Sequence, residues 1–458
     1  MFTESPLSPS MQTLISDLRA QLGPQYDTIS SICNLNIEWP EQKKVAVRIY
    51  GTNAFANREL ELNIVKMASS WGVSEKLYYC WPRGRITSFL EGSSLSPQQW
   101  CDKDTAKDAV LLLGQLHAMP LPDSIKQTSL TVDKYLQRWY ALADRTELAR
   151  DARAFAAAHP DAVSMFDVLS QREYAPTEFP EPPAALAHYL SPLLAADSYP
   201  NALKEEPKGT KSPSREELLR LTAYLDMDGL KREAEWLQRA MKETQLPVTY
   251  CHNDFHGGNV IYQPGEPQPN MATNGKSLPA SNYRVIDFEY GGLNYRGFDF
   301  ANSLCETSII YTGPYPGFVM NCPKAMTGVL CPTATKENPS VDDYSFTDFE
   351  EHFAQTYKRG YKMVLDQLSE DEMTQDEVNQ HGLLVQGINK DKNPSVSALL
   401  VEASLMQLAS HLMWSIWSVI LADEGTITTF GYLEYACIRM LIYLKKKKLL
   451  QQRGVIKF

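Results

Sequence analysis

The chain contains no uninterrupted run of 18 apolar residues, so no membrane span is expected. Its first residues, Met-Phe-Thr-Glu-Ser-Pro, carry neither the basic nor the apolar region of a secretory signal. Cysteine is sparse: Cys33, Cys80, Cys101, Cys251, Cys305, Cys322, Cys331 and Cys437 are scattered, with no CxxC pair and no Cys/His cluster at metal-ligand spacing. Reduced thiols in a cytoplasmic protein are therefore expected, and structural zinc is not. Positive charge is also in deficit. The 44 basic residues against 55 acidic ones leave a net charge of −11, which argues against a nucleic-acid surface and suits a cationic small molecule. No internal repeat is visible. What is present, 43% apolar and 22% charged residues over 458 positions, suffices for two lobes with a large buried core.

Residues 43–50 alternate apolar and polar with β-branched residues, which predicts a strand. Over 57–70 the spacing becomes helical, with Leu60, Ile64, Val65 and Ala68 on one side. Lys76 to Tyr79 and Arg85 to Leu90 read as two further strands turning at Pro82-Arg83-Gly84. Beyond Glu91-Gly92 the character is mainly helical, beginning over 103–118, so the lobe boundary falls near 88–93. The expected fold is α+β: a small antiparallel-sheet lobe over 1–92 and a large, mainly helical lobe over 93–458. The proline-rich stretch 140–215 reads as a partly irregular insertion, and 264–282 and 312–342 as loops. The apolar segments 395–421 and 430–450 predict buried helices.

Chemistry concentrates in Tyr250-Cys-His252-Asn-Asp254-Phe-His-Gly-Gly-Asn259-Val-Ile-Tyr262. An Asp and an Asn five apart, just before a short apolar strand, present both side chains from one loop. Asp254 can accept the proton of a substrate hydroxyl and Asn259 can ligate a metal ion. A surface loop of the same composition is the alternative. The second element is Tyr283-Arg-Val-Ile-Asp287-Phe-Glu289, an apolar strand ending in a carboxylate that could bridge Mg²⁺ to nucleotide phosphates. Two matches in this order outweigh a mere strand-capping turn. Upstream, Arg48 lies within a strand that should be mostly buried, and Glu61 on the next helix is placed to pair with it. That pair could hold the α/β-phosphates, although an exposed arginine and glutamate would read the same way. The strand end from Ser88 through Leu90 to Glu91 would offer backbone groups to adenine.

The run Asp287-Phe-Glu289-Tyr-Gly-Gly-Leu-Asn-Tyr-Arg296-Gly-Phe-Asp299-Phe-Ala-Asn-Ser-Leu-Cys-Glu306, with Cys251-His-Asn-Asp254 before it, resembles the choline/ethanolamine kinase family from about residue 43 to 448. The resemblance implies a protein-kinase-like bilobal fold and ATP- and Mg²⁺-dependent phosphorylation of choline or ethanolamine, the first committed step of the cytidine-linked phospholipid route. Residue by residue it implies Asp254 as base, Asn259 and Asp287 on magnesium, Arg48 on phosphate, and Glu289 as a second carboxylate near the metal. Arg296 and Asp299 would brace the loop as a salt bridge. Trp414 and Trp417 share a helical face, as do Tyr432 and Tyr435, a spacing equally typical of plain core. Through the resemblance they become a cage for a quaternary ammonium, completed by Glu306 and Tyr311. The details resemble the choline branch more than the ethanolamine branch, and a homodimer is compatible with the family.

The sequence also departs from that family. Its phosphate loop is rich in small residues, whereas Gly23 to Ser31 here offers one glycine and a proline, and Thr307 stands where many choline kinases carry tryptophan. The competing readings are an ethanolamine or dual-specificity kinase, a phosphotransferase for another amino alcohol or an aminoglycoside-like substrate, and a degenerate kinase fold kept as a binding protein. His117 is expected to pack at a helix end, His252 to orient the loop by hydrogen bonds, and Lys445 to Lys448 to complement a helix dipole.

Overall fold

The computed structural model describes residues 31–35, 45–50, 57–81, 84–128, 132–175, 178–194, 212–244, 246–267, 274–276, 278–311, 315–327, 331–332, 344–368, 395–424 and 429–452. The Gly23-to-Ser31 stretch lies outside them except for Ser31.

The fold is bilobal. Strands β1 (Ser31–Leu35), β2 (Val45–Ile49), β3 (Leu77–Trp81) and β4 (Gly84–Ser88) form an antiparallel sheet in the order β1-β2-β4-β3. β4 runs opposite β2 from Gly84 to Ser88 and stops where its ladder partner Val45 begins, two residues short of the expected Leu90. β3 extends to Trp81, opposite Gly84, because the ladder continues up to the turn. Helix α1 (Arg58–Ser70) is capped by Asn57, whose side chain accepts the Leu60 N–H at 3.2 Å. Its buried face is Leu60, Ile64, Val65 and Ala68, joined by the carboxylate of Glu61.

The larger lobe is helical. Helix α2 (Lys103–Ala118) crosses α4 (Asp348–Leu365) through two glycines: a Cβ on Gly114 would lie 2.1 Å from the Tyr357 carbonyl oxygen, and one on Gly360 2.0 Å from that of Leu111. Helix α3 (Gly297–Glu306) packs on α5 (Val396–Glu424), which lies against α6 (Tyr432–Gln452). By length and composition α5 could cross a membrane, but 83% of its most apolar window is buried inside the protein, as a core helix would be. Stretches between these helices correct two expectations. The 140–215 insertion carries helices over Glu147–Ala158, Met165–Ser170, Ala187–Leu194 and Arg215–Leu225, with 195–211 outside the described residues. Its alanine run is a good helix former, Thr146 and Ser214 cap it and the last helix, and Leu148, Phe155, Tyr189, Leu190 and Tyr224 enter the core. The 312–342 segment likewise holds a strand, Phe318–Met320, and a helical turn, Cys322–Thr327.

The lysine run behaves differently from a solvated helix end. α6 is packed on most sides, so consecutive residues at 100° intervals cannot all reach water. Lys445 donates to the carbonyls of Ala175 and Glu178, Lys446 is 1% exposed against Gln407, and Lys447 pairs with Glu233 at 2.6 Å.

Candidate active site

Two small strand pairs position the chemistry. β5 (Val248–Cys251) pairs with β8 (Gly292–Tyr295), and β6 (Val260–Tyr262) with β7 (Tyr283–Val285). The loop between β5 and β6 is thereby held beside the end of β7, where the Ile286 N–H donates to the Asn259 carbonyl at 3.0 Å. Asp254 and Asn259 come together as expected from their spacing: Asn259 Nδ2 donates to Asp254 Oδ2 at 3.0 Å and to the Asp254 carbonyl at 2.9 Å. That orientation leaves the Asn259 side-chain oxygen as its cation-ligating atom.

The loop is braced from below. Asp299 accepts the backbone N–H groups of His252 (2.6 Å) and Asn253 (2.7 Å) and lies 3.0 Å from His117 Nε2. Asn253 sits at φ 66°, a left-handed conformation that costs about 1 kcal/mol or more for a non-glycine residue. It is held there by its amide, which donates to the Tyr290 carbonyl at 2.8 Å and accepts from Asn294 at 2.7 Å. His252 Nε2 donates to the Ile286 carbonyl at 2.8 Å. The expected Arg296–Asp299 salt bridge is not formed. Arg296 instead grips Glu402 on α5 at 3.0 and 2.5 Å, because it precedes α3 on the side facing α5 while Asp299 on the first turn faces the loop. His117, expected only to pack, joins the brace and also contacts the Tyr357 hydroxyl at 3.0 Å. His117, Cys251 and Asp299 converge within 4.8 Å like a metal cluster. Both Asp299 oxygens already accept from these donors, and burial pushes the Cys251 thiol up, so the trio acts as a brace.

On the sheet side, Arg48 and Arg85 are direct cross-strand partners on β2 and β4, so both guanidinia leave one face. Like charges there are compensated by carboxylates. Arg48 Nη1 donates to Asp287 at 2.6 Å and Nη2 to Glu289 at 3.3 Å. The expected Arg48–Glu61 ion pair is present at 3.8 Å, and the Glu61 oxygens are held more closely still by Arg85 at 2.5 Å and Arg58 at 2.6 Å. Burial opposes the charge on Glu61, but Arg48 and Arg85 overcome it and hold the carboxyl below its ordinary range. The same contest at Asp287, decided by Arg48, lowers that group, and the residue sits at φ 63°. Glu289 is pushed up, first by burial and then by the Asp287 charge. Sequence reasoning misses Arg58 and Arg85; a second arginine at matching register on the adjacent strand is the available signal. Ser88 donates its N–H to the Lys76 carbonyl at 2.8 Å and accepts the Lys76 N–H on its hydroxyl at 2.9 Å. Its N–H is therefore bonded within the sheet, while Leu90, beyond the strand, is half-buried.

Asp254 opens onto a cavity of about 410 Å³. Glu306, Tyr311, Trp414, Trp417, Tyr432 and Tyr435 all line it, together with His256, Glu289, Tyr290 and Phe430. The Trp414 and Trp417 rings are 5.4 Å apart at 84°, and Trp417 meets Tyr432 at 5.7 Å. Both indole N–H groups are already bonded, that of Trp414 to the buried Asn302 at 2.8 Å and that of Trp417 to the hydroxyl of Tyr290, another cavity wall, at 3.1 Å. Glu306 accepts the Tyr311 hydroxyl at 3.0 Å on one oxygen and faces Arg439 at 3.5 Å on the other. Sequence reasoning misses Tyr290 and Phe430 although they adjoin residues it singles out. His256, also missed, lies 3.6 Å from Asp254. Burial lowers its basicity, but Asp254 prevails and holds it at about 9. Its Nδ1 accepts the Gly258 N–H at 3.0 Å, a bond that opposes this rise.

A carboxylate base facing an aromatic cavity, with an arginine–carboxylate cluster on its other side, suits proton removal from a hydroxyl next to a bound polyphosphate. The family model described as choline/ethanolamine kinase matches residues 30–180 and 191–444. Choline kinase alpha of Mus musculus is 25% identical over 451 residues, 98% of this chain and 73% of the relative. Choline/ethanolamine kinase of Homo sapiens is 32% identical over 223 residues, 49% of this chain and 44% of the relative. Among solved structures, the choline kinase of Cryptosporidium parvum Iowa II superposes with a TM-score of 0.50 at 16% identity over 97% of each chain, a likeness of fold.

Proposed function

Because the chain belongs to the choline/ethanolamine kinase family, we propose that it transfers the γ-phosphoryl group of ATP to the hydroxyl of choline. The observation that carries this reading is one cavity in which Asp254 meets Trp414, Trp417, Tyr432, Tyr435, Tyr290, Phe430 and Tyr311. A quaternary ammonium has no N–H donors and is bound by ring faces and nearby negative charge. The primary ammonium of ethanolamine needs an acceptor for each of three N–H bonds. Beside Asp254 the cavity offers two carboxylates, Glu306, whose oxygens face Tyr311 and Arg439, and Glu289, which pairs with Arg48 and Arg58. This favours choline, with ethanolamine or dual specificity as the second reading.

Asp254 takes the proton of the choline hydroxyl, and Asn259 holds it in place through the 3.0 Å hydrogen bond. Arg48, at the junction of the sheet with Asp287, is the cation for the nucleotide phosphates, and Glu61 reaches it through the arginine cluster. Leu90, two residues beyond the end of β4, would face the base. Asp287 and the Asn259 side-chain oxygen are hard donors that fit Mg²⁺, which when bound would draw charge from the transferring phosphoryl group. Glu289 keeps Arg48 oriented. Cys80, Cys101, Cys251, Cys305, Cys322 and Cys437 are thiols rather than disulfides, which supports a cytosolic setting.

The test is ADP release with ATP and Mg²⁺ in the presence of choline, ethanolamine or neither. Choline-dependent turnover, lost in Asp254→Ala by about 10³-fold or more, is expected. No acceptor-dependent turnover, with wild type equal to Asp254→Ala, sinks the enzyme reading in favour of a binding protein.

A further inference from the structure

Behind the aromatic cavity, three helices contribute a polar chain that the phosphoryl-transfer reading does not use. It runs from Arg439 on α6 through Ser410 on α5 to Asn302 on α3. All three residues are 0% exposed, so water cannot replace any link. Arg439 Nη2 donates to Ser410 Oγ at 2.8 Å, and Ser410 Oγ donates to Asn302 Oδ1 at 2.9 Å. Arginine can only donate, so the serine hydroxyl hydrogen must point to Asn302, and the chain has one polarity. The second lone pair of Asn302 Oδ1 accepts the Trp414 indole N–H at 2.8 Å.

Each end of this chain touches a wall of the cavity. At one end is the Trp414 ring. At the other, Arg439 Nη1 stands 3.5 Å from Glu306 Oε1, while its guanidinium also lies over the Tyr435 ring at 5.4 Å. Trp414 and Ser410 are i, i+4 neighbours, so one helix face carries both the indole and the relay. We propose that the Arg439–Ser410–Asn302 chain positions the carboxylate and the indole of the acceptor cavity as one unit, making Arg439 a determinant of cationic-acceptor binding. The Glu306 carboxylate is buried, 7% exposed, and Arg439 fixes it from behind at 3.5 Å, a separation that leaves part of its charge for the acceptor. The chain reaches the cavity through Glu306, Trp414 and Tyr435 and makes no contact with Arg48 or Asp287, so its effect should appear in acceptor binding.

The proposal rests on the cavity being the choline site, and the experiment separates the two. Choline binding without nucleotide, read by tryptophan fluorescence, and steady-state kinetics are measured for wild type, Arg439→Met, Arg439→Lys, Ser410→Ala, Glu306→Gln and the doubles of Glu306→Gln with Arg439→Met and with Ser410→Ala. The KM for choline should rise about 30-fold in Arg439→Met and about 5-fold in Ser410→Ala. The KM for ATP and kcat should stay within about 2-fold, and Arg439→Lys should recover part of the loss. In the Glu306→Gln background the added penalty of Arg439→Met should fall below about 3-fold. Equal shifts in the ATP and choline constants, or an Arg439→Met penalty unchanged in that background, overturn the relay. If Arg439→Met does not fold, Ser410→Ala, which removes one hydroxyl, decides by the same cycle. If wild type neither binds nor turns over choline, the functional reading falls first and takes the relay with it.

Discussion

Replacing Trp417 with alanine is the sharpest test of the aromatic cavity. Its ring meets Trp414 edge-on at 5.4 Å and Tyr432 at 5.7 Å, and its indole N–H donates to the Tyr290 hydroxyl at 3.1 Å. Unlike Trp414, which is 6% exposed and tied to the buried Asn302, Trp417 is only half-buried, so its loss should leave the fold intact. A ring face against a desolvated quaternary ammonium is worth about 1–2 kcal/mol, and the apolar area that the ring shields from water brings the total to about 2 kcal/mol. At 1.4 kcal/mol per tenfold, the KM for choline should rise roughly 30-fold. The KM for ATP should stay within about 2-fold, because Arg48 and Asp287 pair with each other and are not among the walls of the cavity that Trp417 lines. Trp417→Phe keeps a ring face and should recover most of the loss. The assay is coupled ADP release with choline varied at saturating ATP. A KM for ATP that rises as far as that for choline, or a KM for choline unmoved by Trp417→Ala, would refute the cage.

Two further outcomes follow from buried charge. In Asp299→Asn an amide group faces donors that the carboxylate had accepted, at 2.6 and 2.7 Å from backbone and 3.0 Å from His117. The cost should be about 2–4 kcal/mol in chemical denaturation, with kcat down about 100-fold as the loop shifts; unchanged denaturation and kcat would remove Asp299 from the brace. Lys446 is held at about 8 by burial, against 10.5 when unperturbed. Below pH 8 the folded state keeps a buried ammonium at a cost; between about 8 and 10.5 it has released the proton while the unfolded chain has not, so stability rises with pH. Lys446→Met should therefore raise the melting temperature at pH 7, by a few degrees for an effect on the order of 3 kcal/mol at most, and the gain should shrink toward pH 10. A gain that grows with pH contradicts the sign.

Much of the site is legible in the sequence because its chemistry is carried by short, local patterns. Asp254 and Asn259 share one loop, Asp287 and Glu289 follow one strand, and a loop or strand presents its side chains with a fixed periodicity. The pairs Trp414/Trp417 and Tyr432/Tyr435 follow from helical spacing, although spacing alone does not distinguish a cavity wall from core. Helices α1 and α2 are legible to within a residue because amphipathic spacing and caps are local as well. The helices of the 140–215 insertion are not legible, because proline there suggests broken structure. Among the described residues, Pro160, Pro180, Pro182 and Pro183 lie between helices, and Pro192 lies within a helix whose apolar face is secured by the core.

Partner choice is not legible either, since it depends on which elements meet. Nearness along the chain matches Arg48 to Glu61, but the cross-strand register sets Arg85 beside it and gives Glu61 a nearer guanidinium. Only two residues separate Arg296 from Asp299, but the packing of α3 on α5 turns the arginine to Glu402. Lys445 to Lys448 read as an exposed run, yet α6 buries two of them among groups remote in sequence.

By itself, then, the sequence determined the reacting groups, their order along the chain and the elements that carry them, because each depends on contacts within a few residues. Tertiary structure alone decided which charges neutralise one another and that Asp254 shares a cavity with rings from about 290 to 435. It also decided that Arg439 stands behind Glu306, 133 residues away. Electrostatic pairing and cavity walls depend on distance in space, and the packing of α3, α5 and α6 sets those distances.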